Sequence, residues 1–284
     1  MGAPMARNLL KAGHELRVYD IAPAAIHALG ERGVTRSAPE TVAQEVDAVI
    51  TMLPAGEDVE QVLSGAAGLF SSAAPGTLFV DCSTIDVQTA RSLAEQATHA
   101  AVEFIDAPVS GGIVKASDGT LTFMVGGKGE QVERARPLLA AMGAVIIHAG
   151  KAGSGQVAKM CNNMMLGVSM IAVAEAFAMA QKLGLDPQRL LEICTRSTSR
   201  CWVMTDCNPV PGLVEMAPAG SNYEPGFTSR LMLKDLQLSQ DAAQSADCWT
   251  PMGARATELY EEFVESGGSK FDFSAIIRMI EKSQ

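Results

Sequence analysis

The first half of the chain alternates short apolar runs with amphipathic helical stretches, and the second half carries helical patterns only. This alternation is typical of a parallel sheet with helices packed on its faces. The predicted strands cover residues 15–19, 48–52, 78–81, 103–106, 122–125 and 144–148. The predicted helices of this half cover residues 3–12, 23–30, 57–63, 87–97 and 130–142.

A glycine-rich stretch at residues 150–155 marks the clearest boundary in the chain. A long apolar helix follows it, and further helices are predicted at residues 186–194, 231–246, 251–265 and 273–281, with an ordered loop at 208–223. We therefore predict an α/β fold, with a Rossmann-type doubly wound domain at residues 1–150 and an all-helical domain at residues 151–284.

The first ten residues are typical of the end of a dinucleotide-binding fingerprint, in which a strand and a G-x-G-x-x-G turn precede a helix. Gly2 fits the third glycine, where helix and strand pack closely, and Pro4 suits a first helical turn. The first strand and the two glycines that approach the pyrophosphate are absent from this sequence. We expect a chain that starts at an internal methionine and lacks the central first strand, unless another element fills its place.

Asp20 closes the first predicted strand, 18 residues after Gly2 (20 minus 2). An acidic residue there accepts hydrogen bonds from the ribose hydroxyls of NAD and repels the 2′-phosphate of NADP. No arginine follows at Ile21 or Ala22 to bind such a phosphate. Gly2 and Asp20 therefore favour NAD over NADP, although Asp20 could serve only as a turn residue.

Lys159 and Asn163 lie four residues apart near the start of the long apolar helix. This spacing places two side chains on one helix face. A lysine among Val, Ala, Met and Cys is costly to bury unless its amine is used, and burial in general lowers the pKa of a lysine toward neutrality. Taken alone, a lysine of this kind is more often a helix-end residue that extends to water. The alternative is an amine that exchanges protons beside the amide of Asn163.

Two further segments are candidates for binding. Ser110, Gly111 and Gly112 follow a predicted strand, and such a turn offers a hydroxyl and backbone N–H groups to an anion. Lys234 lies in another apolar helical run. Each signal alone is weak, because a Ser-Gly-Gly turn is often only a turn and a Lys-Asp pair is usually solvated.

Composition excludes several classes of function. The net charge of −10 disfavours nucleic acid and anionic membranes as partners. The six cysteines and four histidines are dispersed, so we predict no metal site, and reduced thiols without a visible signal peptide favour the cytoplasm. The apolar run at residues 164–180 is marginal for a membrane span, and we predict a long buried helix. Its many methionines suggest a homodimer or homotetramer.

Taken together, these segments resemble the β-hydroxyacid dehydrogenase family, and within it the 3-hydroxyisobutyrate dehydrogenase branch. The resemblance covers essentially the whole chain and includes motifs at residues 52–54, 81–86, 106–112, 121–127, 153–163, 200–202, 208–212 and 231–236. It implies that Lys159 exchanges the substrate proton and Asn163 holds the substrate. It further implies that Ser110, Gly111 and Gly112 bind the carboxylate, and that Leu53, Pro54, Thr84 and Lys234 contact the cofactor.

The resemblance implies NAD-dependent oxidation of 3-hydroxyisobutyrate to methylmalonate semialdehyde, a step of valine breakdown. One alternative is a related reductase of a short semialdehyde such as tartronate semialdehyde, with NADPH. Another is a truncated, non-catalytic protein that only associates with itself. Val114 and Lys115 depart from the small Gly-Ala pair of the family, which leaves the shape of the substrate loop open.

Overall fold

The computed structural model describes residues 1–27, 29 and 33–282, and the chain forms two compact units, Met1–Lys159 and Met160–Gln284. Within the described residues, the first unit contains eight strands: β1 (Leu16–Val18), β2 (Val34–Arg36), β3 (Ala48–Thr51), β4 (Leu78–Asp81), β5 (Glu103–Asp106), β6 (Val109–Ser110), β7 (Leu121–Gly126) and β8 (Gly143–Gly150). The predicted α/β class with a Rossmann-like sheet and a helical second half is confirmed.

The strands form two separate sheets. β1 pairs with β2 in a two-stranded parallel sheet, and the other six form a sheet in the order β3-β4-β5-β7-β6, with β8 paired to β7. The break between the sheets lies between β1 and β3. In a doubly wound sheet, the strand that precedes the dinucleotide fingerprint occupies this position. In the described part of the chain, no strand joins the two sheets.

The larger sheet is mixed: most of its pairs are parallel, as the alternating pattern indicated, but β7 departs from that direction. β7 runs antiparallel to both β5 and β6, whereas the pairs β3–β4, β4–β5 and β7–β8 are parallel. A parallel connection needs a crossover of about a dozen or more residues to return the chain to the end of the sheet where the first strand began. Only residues 111–120 lie between β6 and β7, and most of them form a short helix, so β7 returns antiparallel to β6.

Helices cover both faces of the larger sheet. Up to residue 142 they are α1 (Gly2–Lys11), α2 (Pro23–His27), α3 (Gly56–Ser64), α4 (Leu69–Ser72), α5 (Val87–His99), α6 (Gly112–Asp118) and α7 (Gly129–Met142). Alternate residues of β4 point to opposite faces: Leu78 and Val80 pack with α1 and α7, whereas Phe79 packs with α3 and α5. The end of the helix predicted at residues 23–30 lies outside the described residues.

Among the described residues of the second unit, the regular elements are helices, and one isolated antiparallel bridge joins Thr228 and Asp272. A long helix, α8 (Ser154–Lys182), begins before the unit boundary and is followed by α9 (Pro187–Thr195), α10 (Trp202–Asp206), α11 (Ser229–Ser245), α12 (Pro251–Glu265) and α13 (Ile277–Lys282). Three short 3-10 turns cover Pro218–Ser221, Gly268–Lys270 and Phe273–Ile276. One continuous apolar core, centred on Phe177, Met232, Leu236 and Tyr260, holds these helices together.

By length and composition alone, α8 is the one helix of the described residues that could cross a membrane. Half of its most apolar window is buried within the structure. Core helices of water-soluble proteins have the same length and composition, so this property is weak evidence for a membrane span.

Candidate active site

Three polar side chains lie side by side where β3, β4 and β5 end. Thr51, Asp81 and Asp106 are register partners on these neighbouring parallel strands. In open α/β sheets, ligands bind at the edge formed by the carboxyl ends of the strands. The register therefore places a polar cluster at the edge where this fold builds its sites.

Asp81 is fully buried and accepts three hydrogen bonds from neutral groups. The hydroxyls of Thr51 and Ser83 donate to its Oδ1 atom at 2.7 and 2.6 Å, and the Ser83 N–H donates at 3.2 Å. Within the described residues, its Oδ2 atom has no hydrogen-bond partner. Burial raises the pKa of Asp81 to about 6, and the nearby Asp106 carboxylate adds to the rise.

Ser83 connects this carboxylate to the loop after β3. Its Oγ atom accepts a hydrogen bond of 2.8 Å from the Leu53 N–H while its hydroxyl donates to Asp81. The bond fixes the backbone at Leu53 and Pro54, two of the predicted cofactor residues. Asp81 and Ser83 therefore support the loops that follow two adjacent strands.

Asp106 holds the start of α8. Its carboxylate accepts hydrogen bonds from the N–H groups of Gly153, at 2.7 Å, and Gln156, at 3.0 Å. Burial raises its pKa to about 6, although these bonds oppose the rise. A Cβ on Gly155 would collide with the Met124 carbonyl and with the Asp106 carboxylate, so only glycine permits this close approach.

Lys159 lies in the second turn of α8, directly after the turn that Asp106 holds. It is buried, with 8% of its surface exposed, which does not favour the alternative of a lysine extended into water. The position of Lys159 thus depends on a helix start that is bound to the end of β5.

The predicted Ser-Gly-Gly turn is the junction between β6 and α6. Ser110 ends β6 and is half-buried, whereas Gly111 and Gly112 adopt φ angles of +132° and +66°. These angles require glycine in practice. A Cβ on Gly111 would also lie 2.7 Å from the side chain of Lys115, so the stem of this lysine covers the turn. The segment after Gly111 is a short helix, which the sequence pattern did not predict.

The two residues predicted at the nucleotide end, Gly2 and Asp20, lie at the start of α1 and just after β1. α1 begins at Gly2, and no hydrogen bond from the Met1 side chain caps its first turn. A Cβ on Gly2 would make an ordinary contact of 3.8 Å with Met52, so close packing does not require glycine there. Asp20 is exposed just after β1, and its Oδ1 atom accepts a hydrogen bond of 2.7 Å from the Ala22 N–H.

In the second unit, Asp235 brings two predicted residues together. The Asn163 amide donates a short hydrogen bond to Asp235 Oδ2, and Lys234 Nζ lies 3.7 Å from Asp235 Oδ1. Asn163 and Asp235 are buried, with 2% and 4% of their surfaces exposed. A buried carboxylate thus orients the amide, and the alternative of a solvated Lys-Asp pair does not describe Asp235.

Sequence reasoning assigned no role to Asp81, Ser83, Asp106, Gln156 or Asp235. A usable signal existed for two of them, because Asp81 and Asp106 each end an apolar strand in which a charge is unexpected. No comparable signal marked Gln156 or Asp235, because their partners lie more than 70 residues away in sequence. Among the described residues, no cluster of His, Cys, Asp and Glu could hold a metal ion.

Comparison with known families divides the chain into two matching parts. Residues 1–150 match the NAD binding domain of 6-phosphogluconate dehydrogenase, and residues 153–280 match the family described as NAD-binding of NADP-dependent 3-hydroxyisobutyrate dehydrogenase. Both descriptions name nicotinamide dinucleotides, in agreement with the predicted cofactor.

Relatives align with this chain along its whole length. An NAD-dependent L-serine dehydrogenase of Pseudomonas aeruginosa is 47% identical over 286 aligned positions, covering 100% of this chain and 96% of that protein. The human mitochondrial 3-hydroxyisobutyrate dehydrogenase is 41% identical, covering 100% of this chain and 85% of that protein.

A solved structure of Mycobacterium tuberculosis 3-hydroxyisobutyrate dehydrogenase, described with L-serine, is 46% identical and superposes with a TM-score of 0.92. The match covers 99% of this chain and 95% of that one. Full-length identity at this level, together with the two family matches, shows that the chain is a nicotinamide-dependent oxidoreductase and belongs to the β-hydroxyacid dehydrogenase family.

Proposed function

We propose that this chain oxidises short 3-hydroxy acids with NAD, and that 3-hydroxyisobutyrate is its preferred substrate. The product would be methylmalonate semialdehyde, which places the reaction in valine breakdown. One observation carries the proposal: a buried Lys159 directly follows the helix turn that Asp106 fixes to the nucleotide-binding sheet. Relatives named for 3-hydroxyisobutyrate at 41–47% identity support the choice of substrate.

In this proposal, Lys159 takes the proton of the substrate hydroxyl and returns it in the reverse direction. Asn163, oriented by Asp235, holds the substrate through its amide, and Ser110 with the N–H groups of Gly111 and Gly112 receives the carboxylate. When bound, the nicotinamide supplies the hydride acceptor.

The remaining proposed roles concern the cofactor. Lys234 lies against the nicotinamide, and Leu53, Pro54 and Thr84 line the cofactor cleft. Gly2 and Asp20 lie at the nucleotide end. Asp20 supports NAD over NADP, because its charge would repel a 2′-phosphate.

L-serine is the second candidate substrate, because one relative is named an L-serine dehydrogenase and a solved relative is described with L-serine. Both molecules carry a primary alcohol one carbon from the centre that bears the carboxylate. They differ only at that centre, which carries a methyl group in 3-hydroxyisobutyrate and an ammonium group in serine. The same proton transfer by Lys159 would serve either one.

Initial rates of NADH formation, followed by absorbance, separate these candidates. The panel contains both enantiomers of 3-hydroxyisobutyrate and of serine with NAD or NADP, and tartronate semialdehyde with NADH or NADPH for the reverse direction. We expect the highest kcat/KM for 3-hydroxyisobutyrate with NAD. A higher value for L-serine would reassign the substrate. A folded protein that turns over no member of the panel would contradict the proposal and favour the non-catalytic alternative.

A further inference from the structure

Gln156 is fully buried in the first turn of α8, where its side chain holds the loop after β4. Its Nε2 atom donates a hydrogen bond of 2.8 Å to the Ser83 carbonyl, and its Oε1 atom accepts one of 3.2 Å from the Ile85 N–H. One amide therefore binds the backbone on both sides of Thr84.

The backbone of Gln156 is held independently of its side chain. Its N–H donates to Asp106 Oδ2 at 3.0 Å, so the residue is fixed to the end of β5 as well as to the loop after β4. Gln156 precedes Lys159 by three residues, a spacing that places the two on neighbouring positions of the helix surface. Any displacement of the Thr84 loop would therefore reach the turn that carries Lys159.

Burial of the Gln156 amide costs free energy that an apolar side chain of similar volume would not cost. An amide loses hydration when it is buried, and its hydrogen bonds return only part of that loss. A leucine would fill a similar volume without that loss, but it would leave the Ser83 carbonyl and the Ile85 N–H without these partners. The directional bonds, rather than the volume, therefore distinguish Gln156 from an apolar residue.

We propose that Gln156 is a positioning residue, which couples the cofactor loop at Thr84 to the helix turn of Lys159 and so sets their separation for hydride transfer. The inference rests on the proposed function, since it assigns Thr84 to the cofactor and Lys159 to the substrate. A misplacement of about 1 Å in such a site costs about 10²-fold in rate.

The first test measures coupling without turnover. In the wild-type protein, we expect NADH to slow amide hydrogen exchange in the segment 83–85 and also in the first turns of α8, at residues 153–159. In Gln156→Leu, we expect NADH to protect the α8 turns much less, because the link to the Thr84 loop is lost. Equal protection of these turns in both proteins would overturn the inference, whatever the substrate.

The second test measures turnover. We expect Gln156→Leu to lower kcat about 10- to 100-fold and to raise the primary deuterium isotope effect on kcat, because misalignment slows the hydride step. Tyr260→Phe is the matched control, since it removes a buried hydrogen bond to the Phe273 carbonyl in the second unit. It should lower stability without changing the isotope effect. An unchanged kcat and isotope effect in Gln156→Leu would contradict a positioning role.

A conservative variant, Gln156→Glu, keeps the inference testable if the leucine variant fails to fold. A protonated glutamic acid offers both a donor for the Ser83 carbonyl and an acceptor for the Ile85 N–H, whereas the carboxylate only accepts. Asp106 faces this position and Asp81 and Lys159 lie on adjoining segments, so all rates are taken relative to wild type at the same pH. We expect the relative turnover of Gln156→Glu to rise as the pH falls, and a flat ratio would count against the role.

Failure of the proposed function would look different. In that case the wild-type protein would form no NADH from any acid of the panel, while the exchange experiment with NADH would still confirm or contradict the coupling through Gln156.

Discussion

The two units bury their polar side chains in different structural settings. In the first unit, Asp81 and Asp106 end adjacent strands, so the register of the sheet alone places them side by side. In the second unit, Asn163 and Asp235 meet because α8 and α11 pack together, and no regular pattern sets their alignment. A polar cluster at a sheet edge can therefore be predicted from the residues that end the strands. Contacts between two packed helices cannot be predicted in this way, because they depend on how the helices pack.

The partners of the buried carboxylates differ as well. Asp81 and Asp106 accept hydrogen bonds from hydroxyl and backbone N–H groups, and burial raises the pKa of each to about 6. Asp235 instead lies 3.7 Å from the Lys234 ammonium and accepts a hydrogen bond from an amide. We infer that Asp81 and Asp106 hold the positions of loops, and that their burial lowers the free energy of unfolding near neutral pH. Asp235 instead orients Asn163 and Lys234.

Replacement of Lys159 should have the largest effect on turnover. It tests whether the lysine held beside the sheet edge of the first unit transfers the substrate proton. We expect Lys159→Ala to lower turnover about 10²- to 10⁴-fold, the usual contribution of a general acid or base. The affinity for NADH, measured by fluorescence titration, should change little. Lys151→Ala is the control, because Lys151 is exposed just before α8. Near-normal turnover of Lys159→Ala would remove the residue from this role.

Removal of Asp235 should have an intermediate effect and would test the role of its carboxylate in the second unit. Asp235→Ala leaves the buried Asn163 amide without this acceptor, so we expect a loss of about 1–3 kcal/mol in the free energy of unfolding. The KM for the hydroxy acid should rise at the same time. Urea unfolding and steady-state kinetics provide the two measurements.

Asp235→Asn refines this test, because its carbonyl oxygen can still accept the hydrogen bond while its charge is lost. We expect it to retain most of the stability that Asp235→Ala loses. Equal losses in the two variants would show that charge, rather than the hydrogen bond to Asn163, is the important property of Asp235.

A dependence of stability on pH should come from the first unit, where the effect develops gradually over a range of pH. Between the ordinary pKa of 3.8 and the raised value of about 6, folded Asp81 binds more protons than it does in the unfolded chain. The free energy of unfolding therefore decreases as the pH rises through this window, by up to about 3 kcal/mol for this residue. Asp106 adds a decrease in the same direction.

Asp81→Asn should flatten part of this slope, because the amide does not ionise and its oxygen can still accept from Thr51 and Ser83. Thermal unfolding midpoints between about pH 4 and about pH 7 would measure the difference. A slope equal to that of the wild-type protein would mean that Asp81 does not titrate in this window.

Local pattern was sufficient to place the bounds of several elements. The predicted bounds of β4 and β5 match the structure, and those of α12 do as well. The pattern failed for β2, with three residues, and β6, with two, because such short strands exist only through pairing with a neighbour. The antiparallel direction of β7 escaped prediction for the same reason, since it depends on where the chain turns in space.

The sequence by itself determined the fold class, the family, and the positions of Lys159, Asn163 and the Ser110 turn. The fold class and the candidate residues followed from helix spacing and turn chemistry, which are local properties of the chain, whereas the family followed from the resemblance of motifs along its whole length. Only the tertiary structure decided that Asp106 fixes the start of α8, that Gln156 brackets Thr84, and that Asp235 orients Asn163. Those contacts join residues about 50 or more positions apart, and such partners become neighbours only when burial of the apolar core brings their elements together.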